Sequence, residues 1–218
     1  MATFNFLSEF FNCIDIYEKT LITSMIMIII CPITWNLIAR WEFHSKFFTK
    51  IVGDNRLAAD VFAHILIEMG IFRNYIYSKA IQHQPSYPID DEYKIWVSLL
   101  GYAILTFGLI LVYMAYYRLG IHGIYYADYF GILFKEKVTA FPYNITDNPL
   151  YIGSTSIFLG LAILNQSPSG LLLTVLVWFM YKLASAMENP MTDLIYSEKN
   201  IKAVQRLKRD REEGKKIN

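Results

Sequence analysis

Residues 141–154 read Phe-Pro-Tyr-Asn-Ile-Thr-Asp-Asn-Pro-Leu-Tyr-Ile-Gly-Ser, and the apolar hairpin they open carries a carboxylate, Glu188, at its far end. Asn148 is of the type that caps a helix, and Pro149 suits the first turn because its missing N–H would have no intrahelical partner there. The free amides beyond it favour a negatively charged group, such as the carboxylate of a cofactor. Tyr143 and Tyr151 flank this turn and offer aromatic faces to a cation. An amide-rich helix start and an acidic helix end, brought side by side, make a polar site at a membrane surface.

A second set of polar side chains, Asp60, His64 and Glu68, recurs every four residues and forms one stripe if the segment is helical. Carboxylate and imidazole are metal ligands. A seam facing the bundle interior, paired with Arg73 or lining a wet headgroup cavity, accounts for the same pattern, and no metal site is expected. His122, in Gly120-Ile121-His122-Gly123, reads as a loop histidine. Cys13 and Cys31 are too few for a disulfide framework; Cys31 lies in an apolar run as a small hydrophobe, and both are expected to be reduced.

The elements that must position these groups follow from hydropathy. The chain has 218 residues, 55% hydrophobic and 16% aromatic with 18% charged, too apolar for an ordinary soluble domain. The expected fold is all-α: one integral membrane domain over residues 1–218, a multi-span helix bundle closed by a C-terminal helical hairpin. Residues 21–39 approach the ~20 apolar residues needed to cross about 30 Å of hydrocarbon. Residues 57–81 form a less pure span, interrupted by Asp60, His64, Glu68 and Arg73. Residues 95–117 form a third, ending in Tyr113, Tyr116 and Tyr117 beside Arg118, as at a membrane boundary. After a loop over 118–147, residues 151–164 and 171–187 make the hairpin around the turn formers Asn165-Gln166-Ser167-Pro168-Ser169-Gly170. Its arms are roughly 21 to 26 Å long by helical rise, so the chain returns to the side it left and Tyr151 finishes near Glu188. No removable signal peptide is expected, because no short apolar core sits between a basic start and a small-residue cleavage site.

Lys and Arg set the orientation, since positive loops stay cytoplasmic. The N-terminus offers Lys19 against Glu9, Asp15 and Glu18, whereas the first loop holds Arg40, Lys46, Lys50 and Arg56. The loop with Arg118, Lys135 and Lys137 and the charged tail over 199–218 then fall on the same cytoplasmic side, as the hairpin requires. A net charge of +1, with cations spread over loops and tail, gives no basic face for nucleic acid.

Several longer motifs occur in one order: Asp128-Tyr129-Phe130-Gly131-Ile132-Leu133, Phe141-Pro142-Tyr143-Asn144, Asp147-Asn148-Pro149-Leu150-Tyr151 with Gly153-Ser154-Thr155, and Ser167-Pro168-Ser169-Gly170 with the apolar run behind it. Glu188-Asn189-Pro190-Met191-Thr192 closes the series. In these the stretch from about residue 73 to 196 resembles the phosphatidylethanolamine N-methyltransferase family of small membrane phospholipid methyltransferases. The resemblance implies transfer of methyl groups from S-adenosylmethionine to phosphatidylethanolamine and its mono- and dimethyl derivatives, giving phosphatidylcholine. It further implies two cofactor-binding places. A Gly-x-Gly in the third span corresponds to Thr106-Phe107-Gly108, keeping one glycine, and a Glu-Glu pair after the last helix corresponds to Glu188-Asn189, keeping one carboxylate.

With Asn148, Tyr151 and Gly153, these make the expected cofactor site. No dedicated base is evident, and Glu68 is the candidate proton acceptor. The partners implied are a membrane phospholipid and S-adenosylmethionine, while the sequence gives no signal for oligomeric state. Two other readings fit the hairpin: a methyltransferase for another membrane-embedded acceptor, such as an isoprenylcysteine carboxylate, or a non-catalytic membrane scaffold. The terminal Lys215-Lys216-Ile217-Asn218 resembles a dilysine retrieval signal, so the endoplasmic reticulum membrane is the expected location, with a mitochondrial membrane a further expectation.

Overall fold

The computed structural model describes residues 8–134 and 138–216, with side chains beyond residue 197 described at Lys199, Lys202 and Arg206. Lys135, Lys137 and the final Ile217-Asn218 of the retrieval-like tail therefore lie outside the described residues. All regular structure among the described residues is helical: α1 (Lys19–Ser45), α2 (Phe47–Val52), α3 (Asn55–His83), α4 (Asp91–Ile124), a 3-10 turn (Ala127–Phe130), α5 (Pro149–Leu164) and α6 (Pro168–Lys216). Lys19–Ser45, Asp91–Phe130 and Pro168–Ser197 are long and apolar enough to cross a membrane. Their outward faces carry exposed Ile22, Ile26, Leu99, Leu109, Val175 and Phe179, a surface suited to lipid rather than water. The polar groups of α3 keep it out of that set, although its 29 residues reach about 43 Å.

Side chains close the helix ends. Glu18 accepts from the Leu21 amide at 2.7 Å at the start of α1, and Asp54 accepts from the Leu57 amide at 2.8 Å at the start of α3. Between them Glu42, fully buried, turns its carboxylate onto the start of α2, taking the Phe48 amide at 2.7 Å and the Thr49 hydroxyl at 2.6 Å. Glu42→Ala strands these two donors, at about 1–3 kcal/mol for each buried group left unsatisfied. The expected result is a marked fall in unfolding temperature in detergent, with partial recovery in Glu42→Gln; an unchanged unfolding temperature would contradict it.

The tightest helix pair is α4 with α5, and glycine allows it. A Cβ added to Gly108 would lie 2.6 Å from the Gly153 carbonyl, and one added to Gly160 would lie 2.9 Å from the Gly101 carbonyl. The two backbones therefore touch at two levels, as small residues permit in membranes. Near its end α4 breaks at Gly120, whose φ of 63° and ψ of −177° are not helical, and then resumes to Ile124. The loop expected from residue 118 thus begins later, and His122 lies in a helical turn.

The hairpin turn is also shorter than expected. Residues 165–167 suffice because Pro168 begins α6, and the Ser167 hydroxyl caps it by accepting from the Gly170 amide at 3.0 Å. Beyond residue 187, where the arm was expected to stop, α6 runs on through Glu188 and Pro190. Pro190 lacks only one N–H, and next to this gap the Met187 carbonyl accepts from Arg40 Nη2 at 2.5 Å. Glu188 therefore stands within a helix rather than after one.

Candidate active site

α1 crosses α6 at Glu188, and there it carries the fully buried Asn36. Its Nδ2 donates to Glu188 Oε1 at 2.9 Å and back to the Pro32 carbonyl at 3.1 Å. Tyr151, in the first turn of α5, donates its hydroxyl to the same Oε1 at 2.5 Å, and Tyr126, at the start of the 3-10 turn, donates there as well. The start of α5 meets α6 at Glu188, twenty residues into α6, as hairpin arms of similar length require. Tyr126 holds its place with a left-handed backbone (φ 61°). Three donors from three elements thus fix one oxygen of a carboxylate, while the described residues place no hydrogen bond on Oε2.

Around this knot several buried polar atoms have no partner among the described residues: Asn36 Oδ1, Arg40 Nε, Trp35 Nε1 and Tyr129 Oη. Native proteins seldom leave such groups unpaired. Together they are unpaired donors and acceptors, a set that fits a polar, zwitterionic ligand.

Two cavities lie beside the cluster, one lined by Asn189 and the other by Tyr126 and Tyr151. The larger, about 710 Å³, lies between the end of α4, the chain from Asp128 to Asp147, and α6 from Asn189 to Lys199. Asn189 lines it, as do Asp128, Asp147 and Asp193, giving it an acidic wall. Tyr143 also lines it, and burial pushes its phenol up to about 12, so it stays a neutral donor at physiological pH. His122 reaches the same cavity with Nε2 2.6 Å from Asp60 Oδ1. An imidazole oriented by a carboxylate is the arrangement of a general acid or base. The smaller cavity, about 260 Å³, is lined by Tyr126, Tyr151, Tyr181 and Arg73 among apolar side chains.

The expected site residues divide into three groups. Glu188 and Tyr151 come together directly, and Asn189 opens onto the large cavity beside them. Asn148 occupies the N-cap of α5, but its side chain makes no capping bond. Thr106 and Phe107 are exposed on α4, and the space above Gly108 is filled by Gly153 and Ile157, so Gly108 and Gly153 meet each other rather than the Glu188 cluster.

The Asp60, His64 and Glu68 stripe faces outward rather than inward. His64 and Glu68 side chains are 77% and 65% exposed and 4.0 Å apart. Asp60 pairs with His122, and Arg73 bonds to Tyr181 and Asn74 rather than to the stripe. Glu68 thus sits on an outer face, away from the carboxylate cluster. Asn36, Tyr126 and Arg40 were missed as site residues, and His122 was set aside as a loop histidine. A lone amide in an apolar span was the available signal for Asn36; nothing in the sequence names its partner.

The sequence matches the phospholipid methyltransferase family over residues 96–199. It is 40% identical to a Neurospora crassa protein named phosphatidyl-N-methylethanolamine N-methyltransferase, over 95% of this chain and 92% of that one. It is 38% identical to phosphatidylethanolamine N-methyltransferase A of Dictyostelium discoideum, over 88% and 90% of the two chains. The chain belongs to the phospholipid methyltransferase family. The Homo sapiens phosphatidylethanolamine N-methyltransferase is 37% identical over 85% of this chain and 92% of its own. No solved structure matches. Membership of the phospholipid methyltransferases implies a methyl donor and a lipid substrate, and the unpaired atoms around Glu188 suit the polar end of such a donor. Among the described residues no group of three or more His, Cys, Asp or Glu side chains is placed to hold a metal ion.

Proposed function

We propose that this protein transfers methyl groups from S-adenosylmethionine to the amine of phosphatidylethanolamine and of its mono- and dimethyl derivatives, giving phosphatidylcholine. The observation that carries this reading is the Glu188 carboxylate, held through one oxygen by Asn36, Tyr126 and Tyr151 in a chain whose relatives bear that activity in their names. When bound, the donor supplies a methyl group on a positively charged sulfur, and transfer to nitrogen leaves a neutral thioether. Glu188 Oε2 accepts from donor hydroxyl or amino groups, and Asn189 supplies a further polar group at the cavity wall. Tyr151 stacks on Tyr181 with ring centroids 4.5 Å apart, giving a π surface beside the site that stabilises a cation.

The acceptor ammonium must first lose a proton, which water in the adjoining cavity takes up. Desolvation at headgroup depth disfavours its charged form. Holding the two reactants in line supplies roughly 7–11 kcal/mol of the barrier. We further propose that α3 and the α5–α6 hairpin also span, so that the site opens to the cytoplasm, where a soluble donor enters. On this reading the C-terminus is cytoplasmic and the membrane that of the endoplasmic reticulum.

Expression in cells that lack phosphatidylcholine synthesis, fed methyl-labelled methionine, tests the activity. Labelled mono-, di- or trimethylated headgroups are expected. Label confined to a carboxyl methyl ester would favour an isoprenylcysteine-type acceptor, and absence of donor binding by the purified protein would leave only a scaffold.

A further inference from the structure

The smaller cavity contains a charge the reaction has not yet used. Arg73, on α3, is 7% exposed. Its Nη1 donates to the Tyr181 hydroxyl at 2.7 Å, and its Nε and Nη2 share the Asn74 side-chain oxygen at 3.3 and 3.1 Å. The guanidinium carbon stands 5.3 Å from the Phe158 ring centre and 5.7 Å from that of Tyr181. All these partners are neutral, and among the described residues no carboxylate lies within ion-pair distance of Arg73. A cation inside an apolar bundle without a counter-charge is costly, and such residues mark ligand sites.

The cavity's shape says which ligand. It runs past Gly70, Ile71 and Val112 between α3 and α4, and a Cβ placed on Gly70 would meet nothing within 4 Å. α4 packs along α5 and scarcely meets α3, so this side of the bundle is loosely closed. At its other end stand Tyr126 and Tyr151, the two phenols bonded to Glu188. Tyr181, which fixes Arg73, precedes Glu188 by seven residues, about 10 Å along α6. An anion at Arg73 therefore lies deeper in the bundle than the methyl-donor end. In an ethanolamine phospholipid, two carbons separate the amine from its phosphodiester, and the acyl chains continue beyond. With the phosphodiester at Arg73 the amine reaches back toward Glu188, and the acyl chains leave sideways between α3 and α4 through the gap at Gly70, one turn before Arg73.

We propose that Arg73 binds the phosphodiester of the acceptor lipid, orienting the headgroup so that its nitrogen points toward the Glu188 end. Arginine suits the task because its planar fork pairs two phosphate oxygens at once. This inference rests on the reading of the Glu188 cluster as the donor site.

The test uses purified full-length protein in mixed micelles, comparing the parent with Arg73→Gln, Arg73→Lys and Gly70→Phe. The probe is a dialkyl phosphate, which carries the phosphodiester without an amine. It is expected to compete with phospholipid in the parent, and Arg73→Gln should weaken that competition and raise the lipid KM roughly 10- to 100-fold, the loss expected for hydrogen bonds to a charged group. Arg73→Lys should recover part of it, and Gly70→Phe should raise lipid KM by filling the mouth without touching a charge. S-adenosylmethionine affinity should stay within about threefold throughout. Failure of dialkyl phosphate to compete in the parent, or equal lipid KM in Arg73→Gln, overturns the proposal while leaving the methyltransferase reading intact. Loss of donor affinity in Arg73→Gln also overturns it, assigning Arg73 to the donor's carboxylate. A parent protein that neither binds donor nor methylates lipid removes both readings.

Discussion

Glu188→Gln should weaken S-adenosylmethionine binding by about 100-fold or more and reduce turnover correspondingly. The amide keeps the size of the side chain and one acceptor oxygen for Asn36, Tyr126 and Tyr151, so the helices around it stay packed. It loses the charge and turns a nitrogen toward the position where Oε2 meets the ligand, and hydrogen bonds to charged groups contribute about 1.5–3 kcal/mol each. Glu188→Ala goes further, stranding three donors at about 1–3 kcal/mol apiece, and should lower the unfolding temperature as well as abolish binding. Calorimetric donor affinity measured beside thermal unfolding separates the two effects. Unaltered affinity and turnover in folded Glu188→Gln would remove this carboxylate from the site.

Gly160→Val should produce a large loss of stability in the α4–α5 pair, comparable with that of Gly108→Val. A Cβ on Gly160 falls 2.8 Å from the Leu105 amide nitrogen and 2.9 Å from the Gly101 carbonyl, both of them backbone atoms that cannot rotate away. The helices must separate, and overpacking of this kind costs typically 1–3 kcal/mol or more. Gly153→Val, 2.9 Å from the Gly108 carbonyl, should act alike and in addition shift Tyr151, two residues before it. Leu109→Ala, on the outward face of α4, is the comparison and should change stability little. Equal unfolding temperatures for Gly160→Val and Leu109→Ala would show that the close backbone approach contributes nothing.

Helices Lys19–Ser45 and Asp91–Ile124 contain the apolar runs 21–39 and 95–117 and extend past both ends of each, because composition marks the apolar stretch and not the helix ends. Hairpin arithmetic brought Tyr151 to Glu188, since two arms of similar length leave little choice. Partners distant in sequence were another matter. Asn36 looked like one amide in an apolar run, and only the crossing of α1 with α6 gives it an acceptor. The stripe of Asp60, His64 and Glu68 showed the right helical spacing yet the wrong face, because spacing fixes which residues share a side and not which side turns inward. Thr106-Phe107-Gly108 was singled out by resemblance alone; the structure turns Thr106 and Phe107 outward and sets Gly108 against Gly153. The second hairpin arm, expected over residues 171–187, runs on through Pro190, whose one missing backbone bond a helix of 49 residues absorbs.

The crossing of α1 and α6 has one more consequence. Asn36 and Arg40, one turn apart on α1, grip Glu188 and the neighbouring Met187 carbonyl, and in hydrocarbon a slipped helix would find no water to take over those bonds. The pair therefore works as a detent that fixes how far the first helix can slide along the last, and so indexes the assembly of the bundle.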